Sequence, residues 1–150
     1  MADVPNDNHV ARYCRHRNVQ GTNVSGKEFE LKLKRDPPES YLSVNWMEAT
    51  GKSTIDDELI VIRKAIPMEF HRKDRIARLH VGTARQKVFQ NIGRLVINFR
   101  KIKTKGSHKT YSGIYDIPMN DQSNRAVGMQ LAMVASGNLY PAQEPTEESS

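Results

Sequence analysis

Side chains that could do chemistry crowd the start of the chain: His9, Arg12, Tyr13 and Cys14. A histidine can give or take a proton near neutral pH, and an arginine can hold a phosphate in its planar fork. Glu48, just past a strand that closes on Trp46, is placed to sit at the mouth of a cleft. His9, Arg12 and Glu48 therefore form one candidate catalytic site, for a small enzyme acting on a nucleotide or phosphoester. The plainer reading puts His9 in a frayed arm, Arg12 on an exposed strand face, Tyr13 in the core and Glu48 at an ordinary surface. Geometry separates the two, because a general base must reach the proton it takes.

Cys14 and His16 lie two residues apart on one strand face, a spacing open to a thiol–imidazole nucleophile. A lone cysteine is usually a small buried hydrophobe, and Cys14 reads that way. The histidines His9, His16, His71, His80 and His108 make no HExxH pattern, and there is no CxxC, so neither a metal nor a cofactor is expected. Gly51-Lys52-Ser53 is like the end of a Walker A motif. Trp46 stands where that motif needs its first glycine, so no phosphate cradle is expected.

Positive charge is the strongest signal. Arg94, Arg100, Lys101, Lys103, Lys105 and Lys109 follow one another with no acid between them. Residues 63–109 hold 14 Lys or Arg against Glu69 and Asp74, a net of +12, whereas residues 1–62 are net −2 and residues 110–150 net −4. Such asymmetry marks a surface for a polyanion, or one neutralised by the acidic ends of the chain or by a partner subunit. A two-stranded ribbon can enter a groove or follow phosphates. No RNP, KH or zinc-finger pattern accompanies it. Phe70, Phe89 and Phe99 are the aromatics of this part and at least two read as buried, so phosphate contacts are expected to outweigh base stacking. The leading expectation is a non-enzymatic binding or accessory protein that engages nucleic acid through a basic hairpin. A third expectation is a subunit of a larger assembly whose positive middle docks an acidic protein partner.

His9–Cys14 alternates as a first strand, with Val10, Arg12 and Cys14 on one face and Ala11 and Tyr13 on the other. Glu28–Leu33 alternates as a second strand, and Tyr41–Trp46 as a third that anchors the core with the only tryptophan. Ser53-Thr54 caps a helix that runs to about Ile66 and is stopped by Pro67. Ile76–Val81 reads as a strand, and Thr83 opens a second helix that buries Ala84, Val88 and Ile92 beside Phe89 before Gly93 ends it. Leu95–Ile102 and Thr110–Ile117 read as strands of an antiparallel hairpin joined by a basic loop. Asp121 caps a last helix with Val127, Leu131 and Val134 on its apolar stripe. The order β-β-β-α-β-α-β-β-α predicts an α+β fold, one mixed or antiparallel sheet with about three helices packed mainly on one face. Residues 1–137 are expected to form a single domain and 138–150 an acidic, disordered tail.

The bulk properties bound the rest. A chain of 150 residues with 37% hydrophobic and 27% charged residues can build one modest core. Its mean hydropathy is −0.66 and its pI about 9.5. No apolar run approaches the roughly 20 residues that cross a bilayer, so no membrane role is expected. The first residues lack the basic and apolar regions of a secretory signal, and the single cysteine excludes an internal disulfide, which together suggest a cytoplasmic setting.

His9-Val-Ala-Arg-Tyr-Cys14, Tyr41-Leu-Ser-Val-Asn-Trp-Met-Glu48 and Ser112-Gly-Ile-Tyr115 resemble a family of small uncharacterised bacterial proteins. Those have His-x-x-Arg-Tyr-Cys, Leu-Ser-Val-Asn-Trp-Leu-Glu and a late Ser-His-Ala-Gly-Ile element. The matching residues are His9, Arg12, Tyr13, Cys14, Asn45, Trp46 and Glu48, and the likeness spans most of the domain. It implies a bacterial intracellular protein and draws attention to His9, Arg12, Asn45 and Glu48, but no known activity comes with it. The chain departs from the pattern at Tyr111, where the family would place histidine; His108 is the residue that could substitute.

Overall fold

Leu42 and Val44, alternate residues of one strand, are both buried, and that strand stands near the middle of the sheet. The computed structural model describes residues 2–144. The fold is α+β. Six strands form one antiparallel sheet in the order β6-β7-β4-β1-β5-β8, and β2 and β3 form a separate small ribbon. The strands are β1 His9–Cys14, β2 Val19–Gln20, β3 Asn23–Val24, β4 Tyr41–Trp46, β5 Arg75–His80, β6 Asn98–Lys101, β7 Tyr111–Tyr115 and β8 Leu139–Pro141. The helices are α1 Ile55–Ala65, α2 Val81–Asn91 and α3 Asp121–Ala135. No helix among the described residues is long and apolar enough to cross a membrane.

The two-residue period of the strands sorts the core into two clusters, one on each side of the sheet. Val10, Cys14, Leu42, Val44, Ala77, Leu79, Phe99 and Ile114 pack with Ala84 and Val88 of α2 and Val127, Leu131 and Ala135 of α3. Ala11, Met47 and Ile76 pack with Leu59 and Ile62 of α1 on the other side. Each Val, Leu, Ile, Met or Phe side chain among them, fully buried, contributes about 1.5–3 kcal/mol of transfer free energy. Helices thus cover both faces, two on one side and one on the other. The single helix on its face packs with residues of β1 and β5, leaving the β4–β7–β6 half of that face to polar and tyrosine side chains.

Several local expectations are corrected. Glu28–Leu33 is not a strand: Gly26–Phe29 is a 3-10 turn. Leu31, expected to pair with a neighbouring strand, instead has both backbone groups taken by the Asn124 amide, at 2.8 and 2.9 Å. The alternating apolar residues are still used, since Phe29 and Leu31 are buried in the main core. Helix α2 begins two residues early because β5 runs straight into it, and His80 caps it by accepting the Thr83 N–H at 3.1 Å. Phe89 of that helix is exposed rather than buried. Strand β6 starts at Asn98, since Arg94 adopts a left-handed φ of 62° and the chain turns there. Trp46 is half-buried, its indole N–H held by Asn8 Oδ1 at 2.8 Å. The domain does not stop at residue 137: Leu139–Pro141 pairs with β5 and Ala142 is buried. The rest of the expected acidic tail, residues 145–150, lies outside the described residues.

Candidate functional site

The sheet opens between β1 and β4. These strands pair only at Val10↔Trp46 and Ala11↔Asn45, after which β1 continues along β5 and β4 along β7. Arg12 bridges the opening. Its Nε donates to the Glu28 carbonyl and its Nη1 to the Ser43 carbonyl, both at 2.7 Å, so a guanidinium occupies the β4 acceptor at Ser43 that a strand neighbour would otherwise take. Among the described residues Arg12 makes no salt bridge. Glu28 is close enough to act on it through space, but Glu28 Oε2 already accepts the Arg15 N–H at 2.7 Å and Asn18 Nδ2 at 2.9 Å. Burial lowers the Arg12 pKa from its ordinary value, and Glu28 works against that shift. The result is a cation fixed mainly by carbonyl dipoles.

A cleft of about 620 Å³ opens beside it. Arg12, Arg15 and Lys32 contribute positive charge to its lining, and Ile66, Pro67 and Met68, which follow α1, supply an apolar side. Asn45, Ser107, His108 and Tyr111 also line it. A relay fixes part of this wall. Asn45 Nδ2 donates to Thr110 Oγ1 at 2.9 Å, and His108 Nδ1 lies 2.8 Å from the same hydroxyl. Because His108 Nδ1 also accepts the Thr110 N–H at 3.2 Å, its neutral ring carries its proton on Nε2.

The basic residues divide. Lys103, Lys105 and Lys109 are exposed on the loop between β6 and β7, and Gly106–His108 of that loop line the cleft. Lys109 Nζ reaches the Thr50 carbonyl at 3.4 Å. Lys101 is half-buried in β6. Arg100 is neutralised locally by Asp3 at 3.6 Å and Asp116 at 3.9 Å. Arg94 lies at the turn after α2 with its guanidinium 5.6 Å from the Phe89 ring centre, so it is separate from the hairpin.

Sequence reasoning missed the tyrosines. Tyr41 and Tyr115 stack with ring centres 5.0 Å apart, the Tyr41 and Tyr111 hydroxyls are 3.1 Å apart, and Ser43 Oγ is 3.0 Å from the Tyr111 hydroxyl. Arg100 lies 5.8 Å from the centre of the Tyr115 ring. Their rings overlie Gly113: a Cβ there would come within 2.8 Å of both Tyr41 and Tyr115. The bond to Tyr111, followed by burial, pushes the Tyr41 phenol up to about 12. The signal was present in the alternation Tyr111, Gly113, Tyr115 opposite Tyr41 and Ser43, but it needed the β4–β7 register to be read.

Of the expected catalytic set, the structure joins His9 and Glu48 and sends Arg12 elsewhere. Glu48 Oε2 accepts His9 Nδ1–H at 2.7 Å and Oε1 accepts the His9 backbone N–H at 2.7 Å. This leaves Nε2 of a neutral His9 as the free basic nitrogen. Glu58 of α1 is only 6% exposed and makes no side-chain hydrogen bond among the described residues. Burial and the charge of Glu48 raise its pKa, while Arg78 and His9 act to lower it. Arg78, paired across β1 and β5 with Ala11, has a buried Nε without an acceptor among the described residues. The arginine that acts on Glu58 together with His9 and Glu48 is thus Arg78, not Arg12.

His16, His71 and Asp74 bring three ligand-type atoms within 4.8 Å of one another. Asp74 already accepts from the His16 N–H, His16 Nδ1, Tyr13 hydroxyl and His71 N–H at 2.5–2.9 Å. The two imidazoles stack at 4.0 Å, and in that arrangement an ion in the plane of one ring lies outside the plane of the other. The cluster pins the loop after β1 to the turn before β5. Cys14 is buried, and burial followed by Glu28 pushes its thiol up to about 12, which removes it as a nucleophile. In comparisons with known proteins the chain matches no family model, no curated protein and no solved structure.

Proposed function

We propose that this chain is a nucleic-acid-binding accessory protein that engages phosphates through the loop between β6 and β7. The observation that carries the reading is the position of that loop: Lys103, Lys105 and Lys109 are exposed on it, and its inner residues border a cleft containing Arg12, Arg15 and Lys32. The tyrosines of β4 and β7 add aromatic surface next to the same hairpin, which supports some stacking beside the phosphate contacts. A cytoplasmic setting in a bacterium fits the single cysteine and the resemblance of the Arg12 and Asn45 segments.

Phosphate neutralisation releases condensed counterions, so log K should fall linearly with log salt, by about 0.9 per phosphate on duplex DNA. The test replaces Lys103, Lys105 and Lys109 by alanine. Binding to all sequences should weaken alike, and the slope should flatten by roughly two to three units. A triple variant with the parent's affinity and slope overturns the loop assignment. A parent that binds neither DNA nor RNA at low salt overturns the nucleic-acid reading and favours an acidic protein partner.

A second reading, a small enzyme on a phosphoester, is favoured by one observation. His9 and Glu48 form an oriented pair, with Glu58 and Arg78 as charged neighbours. In that reading His9 Nε2 takes a proton, Glu48 orients the ring and Glu58 supplies an acid.

A further inference from the structure

We infer that the cleft between β1 and β4 is a pocket for a nucleoside monophosphate unit, either free or as the phosphorylated end of a strand. This deepens the nucleic-acid reading and rests on it for the polymer, although free-nucleotide binding can be measured separately.

Arg12 is the cation at the mouth of the opening between β1 and β4. A guanidinium has five N–H donors, and protein carbonyls take Nε and Nη1. No protein acceptor takes Nη2 among the described residues, and Nη2 is not among the buried unpartnered atoms, so it remains open to solvent. A half-buried cation without a carboxylate partner is suited to an anion delivered from outside, and a phosphate matches its fork. Arg15 lines the same cleft with no side-chain hydrogen bond among the described residues, and Lys32 adds a third positive group. The two lining acids are already engaged: Glu28 as described, and Glu39 with the Lys32 N–H at 2.7 Å and Arg35 at 3.3 Å.

Volume and wall chemistry extend the ligand beyond phosphate. About 620 Å³ is far more than a bare phosphate fills and lies in the range of small-molecule pockets, roughly 300–1,000 Å³. Ile66, Pro67 and Met68 offer an apolar side for a planar base. Also in the lining, Asn45 uses its Nδ2 on Thr110, which leaves Oδ1 as an acceptor, and His108 offers Nε2–H as a donor. Tyr13 adds a ring whose hydroxyl is committed to Asp74 at 2.5 Å. The cleft therefore combines cations suited to a phosphate with apolar and polar lining suited to a base.

The test is calorimetric titration of the full chain with adenosine 5′-monophosphate, inorganic phosphate and adenosine. The monophosphate should bind at least tenfold tighter than either part. Arg15→Gln, which removes no hydrogen bond of the fold, should weaken the monophosphate about tenfold, and Arg12→Lys should weaken it at least as much. Competition then separates the sources: a 5′-phosphorylated oligonucleotide that displaces better than its hydroxyl-ended twin identifies a strand end, and equal displacement identifies the free nucleotide. A monophosphate no tighter than phosphate, or an Arg15→Gln variant with parental affinity, overturns the pocket. If long nucleic acid still binds with its salt slope in that case, the loop reading stands; if it does not, both fall.

Discussion

Asn124 of α3 acts as a strand partner for Leu31. Its Oδ1 accepts the Leu31 N–H at 2.8 Å and its Nδ2 donates to the Leu31 carbonyl at 2.9 Å, with both residues buried. One side-chain amide thus satisfies the backbone groups that an alternating apolar sequence offered to a sheet. Asn124→Ala leaves a buried N–H and a buried C=O unpaired, at about 1–3 kcal/mol each. We expect a loss of about 2–5 kcal/mol in urea unfolding, with an unchanged slope on denaturant. Asn124→Asp should also destabilise, because a carboxylate accepts the N–H but repels the carbonyl.

The His9–Glu48 pair predicts a smaller effect. Glu48→Gln retains an acceptor for one of the two His9 donors, so stability should fall by about 1–2 kcal/mol. Binding to nucleic acid should stay as in the parent, since neither residue lines the cleft. If a phosphoester is turned over, Glu48→Gln should reduce kcat, because it removes the carboxylate that orients the His9 ring.

Asp74 predicts a pH dependence. Burial alone would raise its pKa, but hydrogen bonds from Tyr13, His71 and His16 more than offset this and hold it at about 2, against 3.8 for an ordinary aspartate. A depressed carboxylate adds stability above its unfolded pKa and loses it as pH falls towards the folded value. The contribution, about 2 kcal/mol, should therefore be complete above pH 3.8 and gone below about 2. Urea midpoints of the parent and Asp74→Asn, measured across that window, should converge as pH falls. A constant difference would contradict the assignment.

Cys14 is expected to be inert while the chain is folded. Its thiol is buried and pushed up to about 12, so almost no thiolate is present at neutral pH. A disulfide reagent should label it only as fast as the structure opens, and labelling should become rapid in denaturant. Fast labelling of the native protein would count against the buried position.

Periodicity in the sequence determined which residues face the core. Leu42 and Val44, Leu59 and Ile62, and Val127 and Leu131 are all buried as their spacing requires, and the hairpin of β6 and β7 follows from short separation. A period of two or 3.6 encodes a face and not its partner. Leu31 had the alternation of a strand and found Asn124 from a segment 93 residues away. The same limit applies to the site. His9, Arg12 and Glu48 were legible as polar residues near one another in the chain, but His9 and Arg12 point to opposite sides of β1, so only one of them can meet Glu48. Arg12 reaches the cleft because β1 and β4 part after two residue pairs, and no local pattern reports where a sheet opens. Tyr41, Tyr111 and Tyr115 gather only through the register of β4 on β7. Positive charge was visible in the composition of residues 63–109, yet Arg100 is spent on Asp3 and Asp116 while the loop lysines stay exposed. Sequence sets what each segment can bury or offer, and long-range pairing decides which offers meet.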